Sequence, residues 1–101
     1  MIVADIEATG LDPHKHSILS IGAIELEHPE REFYGECRMW DGASIMTDAI
    51  AVNGFTKQEC MDPRKHSLQE LMQNFLHWIE QCEDKTLAGH NVSFDRDFIN
   101  D

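Results

Sequence analysis

Residues 2–11 read Ile-Val-Ala-Asp-Ile-Glu-Ala-Thr-Gly-Leu, an apolar run that carries two acids near its end. In an extended chain Asp5 and Glu7 project to one side, and the apolar residues that alternate with them project to the other. The turn-prone segment 8–10 then ends the run. This pattern predicts a β-strand over residues 2–7 that presents two carboxylates at its tip.

Two carboxylates at this spacing can bind a hard divalent cation through their oxygen atoms. Gly10, which follows them in a tight turn, allows another backbone to approach closely. Such a pair is weak support for a site by itself, because acid-x-acid triplets occur by chance in acidic proteins. The alternative is a polar strand end with solvated carboxylates.

Two further strands are predicted after the first one. Residues 17–27 begin with a run that is apolar on both faces, which indicates a strand in the middle of a sheet. Residues 32–39 alternate between apolar and polar side chains, which is typical of a half-buried strand. The polar segment 28–31 predicts a turn, so the two strands should form an antiparallel hairpin.

Helices are predicted in the middle of the chain. Residues 47–52 indicate a short helix that ends at Asn53 and Gly54, where the glycine can adopt the left-handed conformation. Residues 56–59 and 67–70 both have the spacing of a capping box, which marks the start of a helix. The second box precedes an apolar stripe at helical spacing, formed by Leu68, Leu71, Met72, Phe75, Leu76 and Ile79.

A second acidic motif lies near the end of the sequence. Residues 86–90 resemble a short buried strand, and Ser93 can cap a following helix. Asp95 therefore follows a strand and opens a helix, a position where the active sites of open α/β sheets gather. The alternative is that Asp95 only stabilises the helix dipole. Taken together, the strands and helices have the pattern of an α/β fold.

The composition narrows the class of protein. With 101 residues, 42% of them hydrophobic, the chain is expected to form at most one globular unit. No apolar run approaches the roughly 18 residues of a membrane span, so no membrane association is expected. Cys37, Cys60 and Cys82 are odd in number and widely spaced, which favours the cytoplasm over a disulfide framework. A net charge of −11 argues against a generic nucleic-acid binder, unless metal ions supply positive charge locally.

The two acidic motifs and the elements between them closely resemble the DEDD family of 3′→5′ exonucleases. The first motif of that family is similar to residues 5–11, and its second motif is similar to residues 90–95, His-Asn-Val-Ser-Phe-Asp. Residues 51–56 are similar to the segment that these proteins carry before their long helix. The details indicate the histidine subgroup, which includes DnaQ-like and ribonuclease T-like proteins.

For the fold, this resemblance implies a ribonuclease H-like mixed sheet with three antiparallel strands, one parallel strand and flanking helices. Residues 1–101 would be the N-terminal portion of a single exonuclease domain, without the family's C-terminal strand and helix. Apolar surface that those elements normally cover would then favour a partner, either a completing chain or a second copy in a homo-oligomer.

For the site, the resemblance implies two Mg²⁺ or Mn²⁺ ions held by carboxylates, three of which match Asp5, Glu7 and Asp95. These three are the implied catalytic residues: one ion would activate a water molecule, and the other would stabilise the leaving 3′ oxygen. The implied reaction releases nucleoside monophosphates from the 3′ ends of single-stranded DNA or RNA. The positions that match contacts to the terminal nucleotide are Ala8, Thr9, Leu11, Asn53 and Phe55.

One part of the family pattern has no match in the sequence. The histidine subgroup carries a third motif with a general-base histidine and a fourth metal-binding aspartate, and no residue of the chain takes these places. His90 is expected to be structural, His14 and His16 are expected in a solvated loop, and the remaining histidines at turns or on the surface. Residues 1–101 alone should therefore hydrolyse little or nothing.

Two alternatives to an exonuclease are compatible with the same residues. The chain could be a non-catalytic ribonuclease H-like module that binds nucleic acid or a protein partner. It could also be a relative that cuts nucleic acid internally. Digestion from a 3′ end that a chelator and Asp5→Ala abolish supports the exonuclease, binding without turnover supports the module, and internal fragments support the third interpretation. The sequence leaves the choice between DNA and RNA open.

Overall fold

The computed structural model describes residues 1–89, so the helix expected at Ser93 and the acid Asp95 lie outside it. Four strands form one sheet: β1 (Ile2–Ala8), β2 (Ile18–Glu25), β3 (His28–Glu36) and β4 (Leu87–Gly89). Their order is β3-β2-β1-β4, in which the first three are antiparallel neighbours and β4 runs parallel to β1. The predicted sheet of three antiparallel strands and one parallel strand is confirmed.

The two interior strands have the burial that their sequences predicted. In β2, Leu19 and Ile21 are fully buried. Along β1 every second residue from Ile2 to Ala8 is buried, whereas Asp5 is exposed and Glu7 is half-buried. Because side chains alternate along a strand, both acids lie on the face opposite the core.

The turn between β2 and β3 differs from the prediction. The sequence predicts it at residues 28–31, which is wrong, because the turn comprises residues 26–27 and β3 begins directly after it. The register of the pair shifts between Ile24 and Glu25, where β3 bulges. The polar residues lie within this irregular strand instead of a turn, because buried Glu25 forms an ion pair with Arg31.

Strand β3 is slightly shorter than predicted. β3 ends at Glu36, before the predicted Met39, and Cys37 then makes an isolated parallel bridge with His66. β4 has three residues, and the side chain of its first residue, Leu87, is half-buried. The short β4 still suffices to give β1 a neighbour on each side.

Three helices connect β3 to β4: α1 (Thr47–Asn53), α2 (Lys57–Cys60) and α3 (Leu68–Glu80). Gly54 follows α1 with a φ of 80°, the left-handed conformation predicted for it. Both predicted capping boxes are formed, since Thr56 accepts a hydrogen bond from the Glu59 amide and Ser67 accepts one from the Glu70 amide. The helix starts are therefore confirmed.

The main core lies between α3 and the apolar face of β1. Phe75 is fully buried there, with its ring centroid 5.3 Å from that of Phe33 and 6.2 Å from that of Trp78. Leu76 was predicted to belong to the apolar stripe that forms this core. It lies outside the core, because its side chain is 53% exposed. A residue next to Phe75 is turned by about 100° around the helix axis, which places Leu76 at the margin of the apolar stripe.

A second, smaller core lies beneath α1 and α2. It is formed by Leu19, Ile50 and Cys60, with Met39, Ile45 and Phe55 packed against it. α1 also contacts β1, which places this helix beside the strand that carries the two acids.

Two chain-wide features complete the fold. Cys37, Cys60 and Cys82 are buried free thiols. Within residues 1–89, no helix has the length and apolar character needed to cross a membrane.

Candidate active site

Asp5 and Glu7 share the face of β1 that is turned away from α3. Asp5 pairs with Gly22 on β2, and Glu7 pairs with Ser20 on the same strand. The side chains of paired residues lie on the same face of a sheet. Two residues along a strand separate the Cα atoms of the acids by about 7 Å. The predicted placement of both carboxylates on one side of the strand is confirmed.

Thr9 holds the chain in place directly after β1. Its hydroxyl donates a hydrogen bond to the Ser44 carbonyl at 2.7 Å and accepts one from the Ser17 amide at 2.9 Å. Its own amide donates to the Ser17 carbonyl at 2.9 Å, and its carbonyl accepts from the Met46 amide at 2.8 Å. Because Thr9 is fully buried and each of its polar groups has a protein partner, it fixes the strand tip against the loops around it.

His16 packs against Gly10 and is only 9% exposed, so the expectation that it lies in a solvated loop is wrong. A Cβ atom on Gly10 would lie 2.5 Å from the His16 ring. The Nδ1 atom of His16 accepts a hydrogen bond from the Asp12 amide at 3.1 Å. The close approach that Gly10 permits is therefore made by a side chain of the protein itself. His14 is exposed, as predicted.

A pocket of about 390 Å³ is lined by the end of β1 and by α1. Glu7 contributes to its wall, and so does Asn53, whose side-chain amide donates to the Ala8 carbonyl at 3.2 Å. Leu11 and Val52 border the pocket with 70% and 85% of their surfaces exposed. The remaining lining residues are Ile6, Ala8, Gly10, Met46, Asp48 and Ala49. A pocket with two acids, Glu7 and Asp48, in its wall and an apolar border suits a ligand that has both a polar and an apolar part.

The structure brings only some of the predicted site residues together. Those that line the pocket are Glu7, Ala8, Leu11 and Asn53. Asp5 lies on the same strand face as Glu7 but outside the pocket wall, and Phe55 packs in the second core. Asp95 lies outside the described residues. The roles of all these residues, and of Thr9, stay predictions.

Four lining residues of the α1 segment were not predicted as site residues: Met46, Asp48, Ala49 and Val52. Asp48 lies in the first turn of α1, where an acid is usually explained by the helix dipole. Met46 and Val52 are apolar residues within or next to a short helix, which is an ordinary pattern. Only the packing of α1 beside β1, a contact between distant parts of the chain, brings these residues to the site.

A row of polar side chains extends from Glu7 across the sheet. Glu7 pairs with Ser20, which pairs in turn with Glu36 on β3. One oxygen of Glu36 lies 2.8 Å from Lys65 Nζ, and the other accepts a hydrogen bond from the Tyr34 hydroxyl at 2.7 Å. The interactions with Lys65 and then Tyr34 hold the pKa of the Glu36 carboxyl below its ordinary value. Glu36 therefore stays ionised at neutral pH, with its charge offset by the Lys65 ammonium.

The two acids fit part of a metal-binding site. Carboxylate oxygens are the donors that Mg²⁺ and Mn²⁺ prefer, and Asp5 and Glu7 offer them from one strand face. The described residues assemble no group of three or more histidine, cysteine or acidic side chains that could hold a metal ion. A further ligand must therefore come from elsewhere, and Asp95 is the residue that the family resemblance implies.

Comparisons with known proteins bear on this arrangement. The family model described as exonuclease matches residues 2–101. The DNA polymerase III subunit epsilon of Buchnera aphidicola subsp. Acyrthosiphon pisum is 35% identical over 107 residues, which cover 98% of this chain and 42% of the relative. The 3′-5′ DNA exonuclease Cap18 of Escherichia coli is 32% identical over 108 residues, which cover 98% of this chain and 54% of the relative.

Among solved structures, E. coli exonuclease I in complex with a dT13 oligonucleotide superposes with a TM-score of 0.76 at 21% identity. The match covers 97% of this chain and 22% of that chain. The chain thus spans about half the length of these proteins or less.

Proposed function

Since the chain belongs to the ribonuclease T-type exonuclease family and has its ribonuclease H-like fold, we propose that it is part of a metal-dependent 3′→5′ exonuclease. The observation that carries this proposal is the placement of Asp5 and Glu7 on one strand face, with Glu7 in the wall of a pocket that has an apolar border. The substrate is the 3′ end of single-stranded DNA or RNA, and the product is a nucleoside monophosphate.

The metal-binding and catalytic carboxylates of this proposal are Asp5, Glu7 and Asp95. Two Mg²⁺ or Mn²⁺ ions bound by them would supply an activated water and charge neutralisation at the leaving oxygen. Asp5 and Glu7 pair with Gly22 and Ser20 on β2, so the antiparallel ladder on that side keeps their backbone in place. Because the two carboxylates repel each other, the site should tighten when cations neutralise them.

The pocket would receive the 3′-terminal nucleoside. Leu11 and Val52 offer apolar surface to the base, and the backbone at Ala8 is close to the sugar. Asn53 holds the Ala8 carbonyl, so it fixes the strand end against α1. Phe55 would influence this pocket indirectly, because it packs in the second core, which supports α1.

The proposed partner of the protein is a nucleic acid strand. One relative is a subunit of DNA polymerase III, which supports an association with a polymerase as a further proposal. The general base and the fourth carboxylate implied by the resemblance have no assigned residue in this chain, and a completing chain or a second copy could supply them. We place the reaction in the cytoplasm, which the three free thiols support.

Digestion of a 5′-labelled single-stranded oligonucleotide tests the proposal. We expect the full-length protein to produce a ladder that shortens by one nucleotide at a time with Mg²⁺ or Mn²⁺, and no products with a chelator. Glu7→Gln should lower the rate by about a hundredfold or more, because it removes one well-placed charged group from the site. Glu80→Gln is the matched control, since Glu80 is exposed at the end of α3.

Other outcomes identify the alternatives. Binding of the oligonucleotide without any products would favour a non-catalytic module. Internal fragments, with a 3′ label retained on short pieces, would favour a nuclease that cuts within the strand. Equal rates for Glu7→Gln and Glu80→Gln would remove Glu7 from the site and overturn the proposal as stated.

A further inference from the structure

Tyr34, the only tyrosine of the chain, lies on the same sheet face as the two acids. It pairs with Gly22 on β2, and Gly22 pairs with Asp5 on β1, so the three residues form one row across the sheet. Tyr34 is 65% exposed on the edge strand β3, so much of its ring is accessible to a ligand. An exposed aromatic ring thus lies two strands away from a proposed metal ligand.

The orientation of this ring is fixed through its hydroxyl. Its hydroxyl donates to Glu36 at 2.7 Å, and Glu36 is held by the ion pair with Lys65 at 2.8 Å. The Lys65 ammonium also lies 5.0 Å from the centre of the Phe55 ring, so it is anchored on the second core. A ring that is already oriented loses little conformational freedom when a flat ligand packs on it.

Gly22 provides space beside the ring. The nearest atom to a Cβ built on Gly22 would be Cδ1 of Tyr34, at 3.8 Å. The ring therefore lies over a position without a side chain, in the row that leads to Asp5. No side chain at the middle position separates the ring from the acidic strand.

The charge of the face determines which part of a nucleic acid can approach it. Asp5 and Glu7 repel phosphate groups that are not neutralised by cations, whereas Lys65 offsets the charge of Glu36. A base carries no charge, and every base has a π-face that can stack on an aromatic ring. The favourable contact on this face is therefore between a base and Tyr34, with the phosphates on the outer side.

We propose that Tyr34 is a stacking platform for a base of the single-stranded substrate, upstream of the nucleotide that is removed. This inference rests on the proposed exonuclease function, because it takes Asp5 and Glu7 to mark the position of the 3′ end. Glu36 and Lys65 are positioning residues that hold the ring in place.

Photocrosslinking tests the platform directly. Single-stranded oligonucleotides that carry one 5-iodouracil at successive distances from the 3′ end are bound to the full-length protein with Ca²⁺ as the only divalent cation, so that the strand binds without the Mg²⁺ or Mn²⁺ that the proposed digestion needs. Irradiation should crosslink Tyr34 at one or two adjacent positions of the probe, and mass spectrometry of the peptides identifies the residue. Tyr34→Leu should remove this crosslink, and Tyr34→Trp should retain it.

Affinity measurements provide the second readout. Loss of one stacked base typically weakens binding about 5- to 100-fold, so Tyr34→Leu should show a loss in this range and Tyr34→Trp should not. Tyr34→Phe should fall between them, because it keeps the ring and loses the hydrogen bond to Glu36. Leu26→Ala is the matched control, since Leu26 is an exposed apolar residue in the turn at the other end of β2 and β3.

The results separate the platform from the exonuclease function. Crosslinks at Tyr34 without digestion by the metal-loaded protein would keep the platform and overturn the proposed function. Digestion with unchanged affinity in Tyr34→Leu, or crosslinks only at other residues, would overturn the platform alone. Failure of nitration reagents to modify Tyr34 in the free full-length protein would show that protein covers the ring, and would also overturn the platform.

Discussion

At the level of single residues, Gly10 leaves no room for a side chain, because a Cβ atom there would lie 2.5 Å from the His16 ring. We expect Gly10→Ala to lower the free energy of unfolding by about 1–3 kcal/mol, since overpacking forces the ring or the loop to move. Urea denaturation of the purified variant, followed by tryptophan fluorescence, measures this loss.

Gly22→Ala is the matched control for this variant, because its new Cβ would meet the nearest atom at an ordinary distance of 3.8 Å. A double-mutant cycle of Gly10→Ala with His16→Ala should show coupling of about 1 kcal/mol or more, since the clash needs both partners. Additive effects in this cycle would contradict the packing of His16 on Gly10.

The residues of the candidate site were predictable to different degrees. The placement of Asp5 and Glu7 on one face follows from the alternation of a strand, which is a local rule. The burial of His16 was not predictable, because it depends on a contact with Gly10 across a polar loop. Thr9 was expected at the substrate, but its hydrogen bonds to the loops around Ser17 and Ser44 give it a structural task as well.

At the level of elements, Glu25 connects β2, β3 and the loop after α3. Its buried carboxylate lies 3.0 Å from the guanidinium of Arg31 and accepts a hydrogen bond from the Glu83 amide at 2.9 Å. Burial opposes the charge, but the hydrogen bond from Glu83 and the interaction with Arg31 outweigh it and lower the pKa of Glu25. The charged form therefore stabilises the fold above the ordinary carboxyl pKa, and this contribution is lost as the pH falls.

We expect Glu25→Gln to have a lower melting temperature than the wild type at pH 7. The difference should shrink as the pH falls through about 4, because the wild-type carboxyl is then increasingly protonated and resembles the amide. Thermal unfolding at several pH values measures this trend. Glu30→Gln, a change at an exposed residue of the neighbouring strand β3, is the control. A difference that stays constant from neutral to acidic pH would show that the charge of Glu25 does not matter.

Helix α3 allows a comparison of two neighbouring apolar residues. We expect Phe75→Ala to lower the free energy of unfolding by about 3–5 kcal/mol, because it leaves a cavity between the helix and the sheet. Leu76→Ala should change it by roughly 0.5 kcal/mol or less, since this side chain is 53% exposed. Chemical denaturation of both variants gives the two values, and similar losses would mean that α3 presents a different face to the sheet.

The elements were predictable where their signals are local. The capping boxes at Thr56 and Ser67 lie within four residues of sequence, and both helix starts were located correctly. The hairpin turn was misplaced, because the pairing of Arg31 with buried Glu25 draws a turn-like segment into the strand. The amino-acid composition of residues 28–31 alone does not indicate this ion pair.

At the level of the whole molecule, the net charge of −11 leaves little positive charge for a nucleic acid backbone. We expect a single-stranded oligonucleotide to bind at least about ten times more tightly with Ca²⁺ than with a chelator, because the cations supply the missing charge. Fluorescence anisotropy with a labelled oligonucleotide measures both affinities. Glu7→Gln should lose this difference and Glu80→Gln should keep it. Equal binding with and without cations would mean that the acids are not where the strand binds.

The fold class was predictable for the whole molecule, because strand patterns, helix caps and two acidic motifs agree with one another. The position of α1 beside β1, and with it the pocket, required the structure. The assignment of residues 1–101 to one domain stays a prediction. So does the meeting of Asp5 and Glu7 with Asp95, since it depends on residues outside the described part.

The pairing of β1 with β4 has a consequence for how the protein is made. Ile2 lies opposite Leu87, so β1 receives its second neighbour only after about 85 further residues have been synthesised. The ribosome delivers β1, β2 and β3 early, and their short connections let them pair at once. Until β4 emerges, β1 remains an open border strand with unpaired amides. We therefore expect a translational pause before that point to expose β1 as an edge strand. Nascent chains on one polysome could then associate through this strand unless a chaperone binds it.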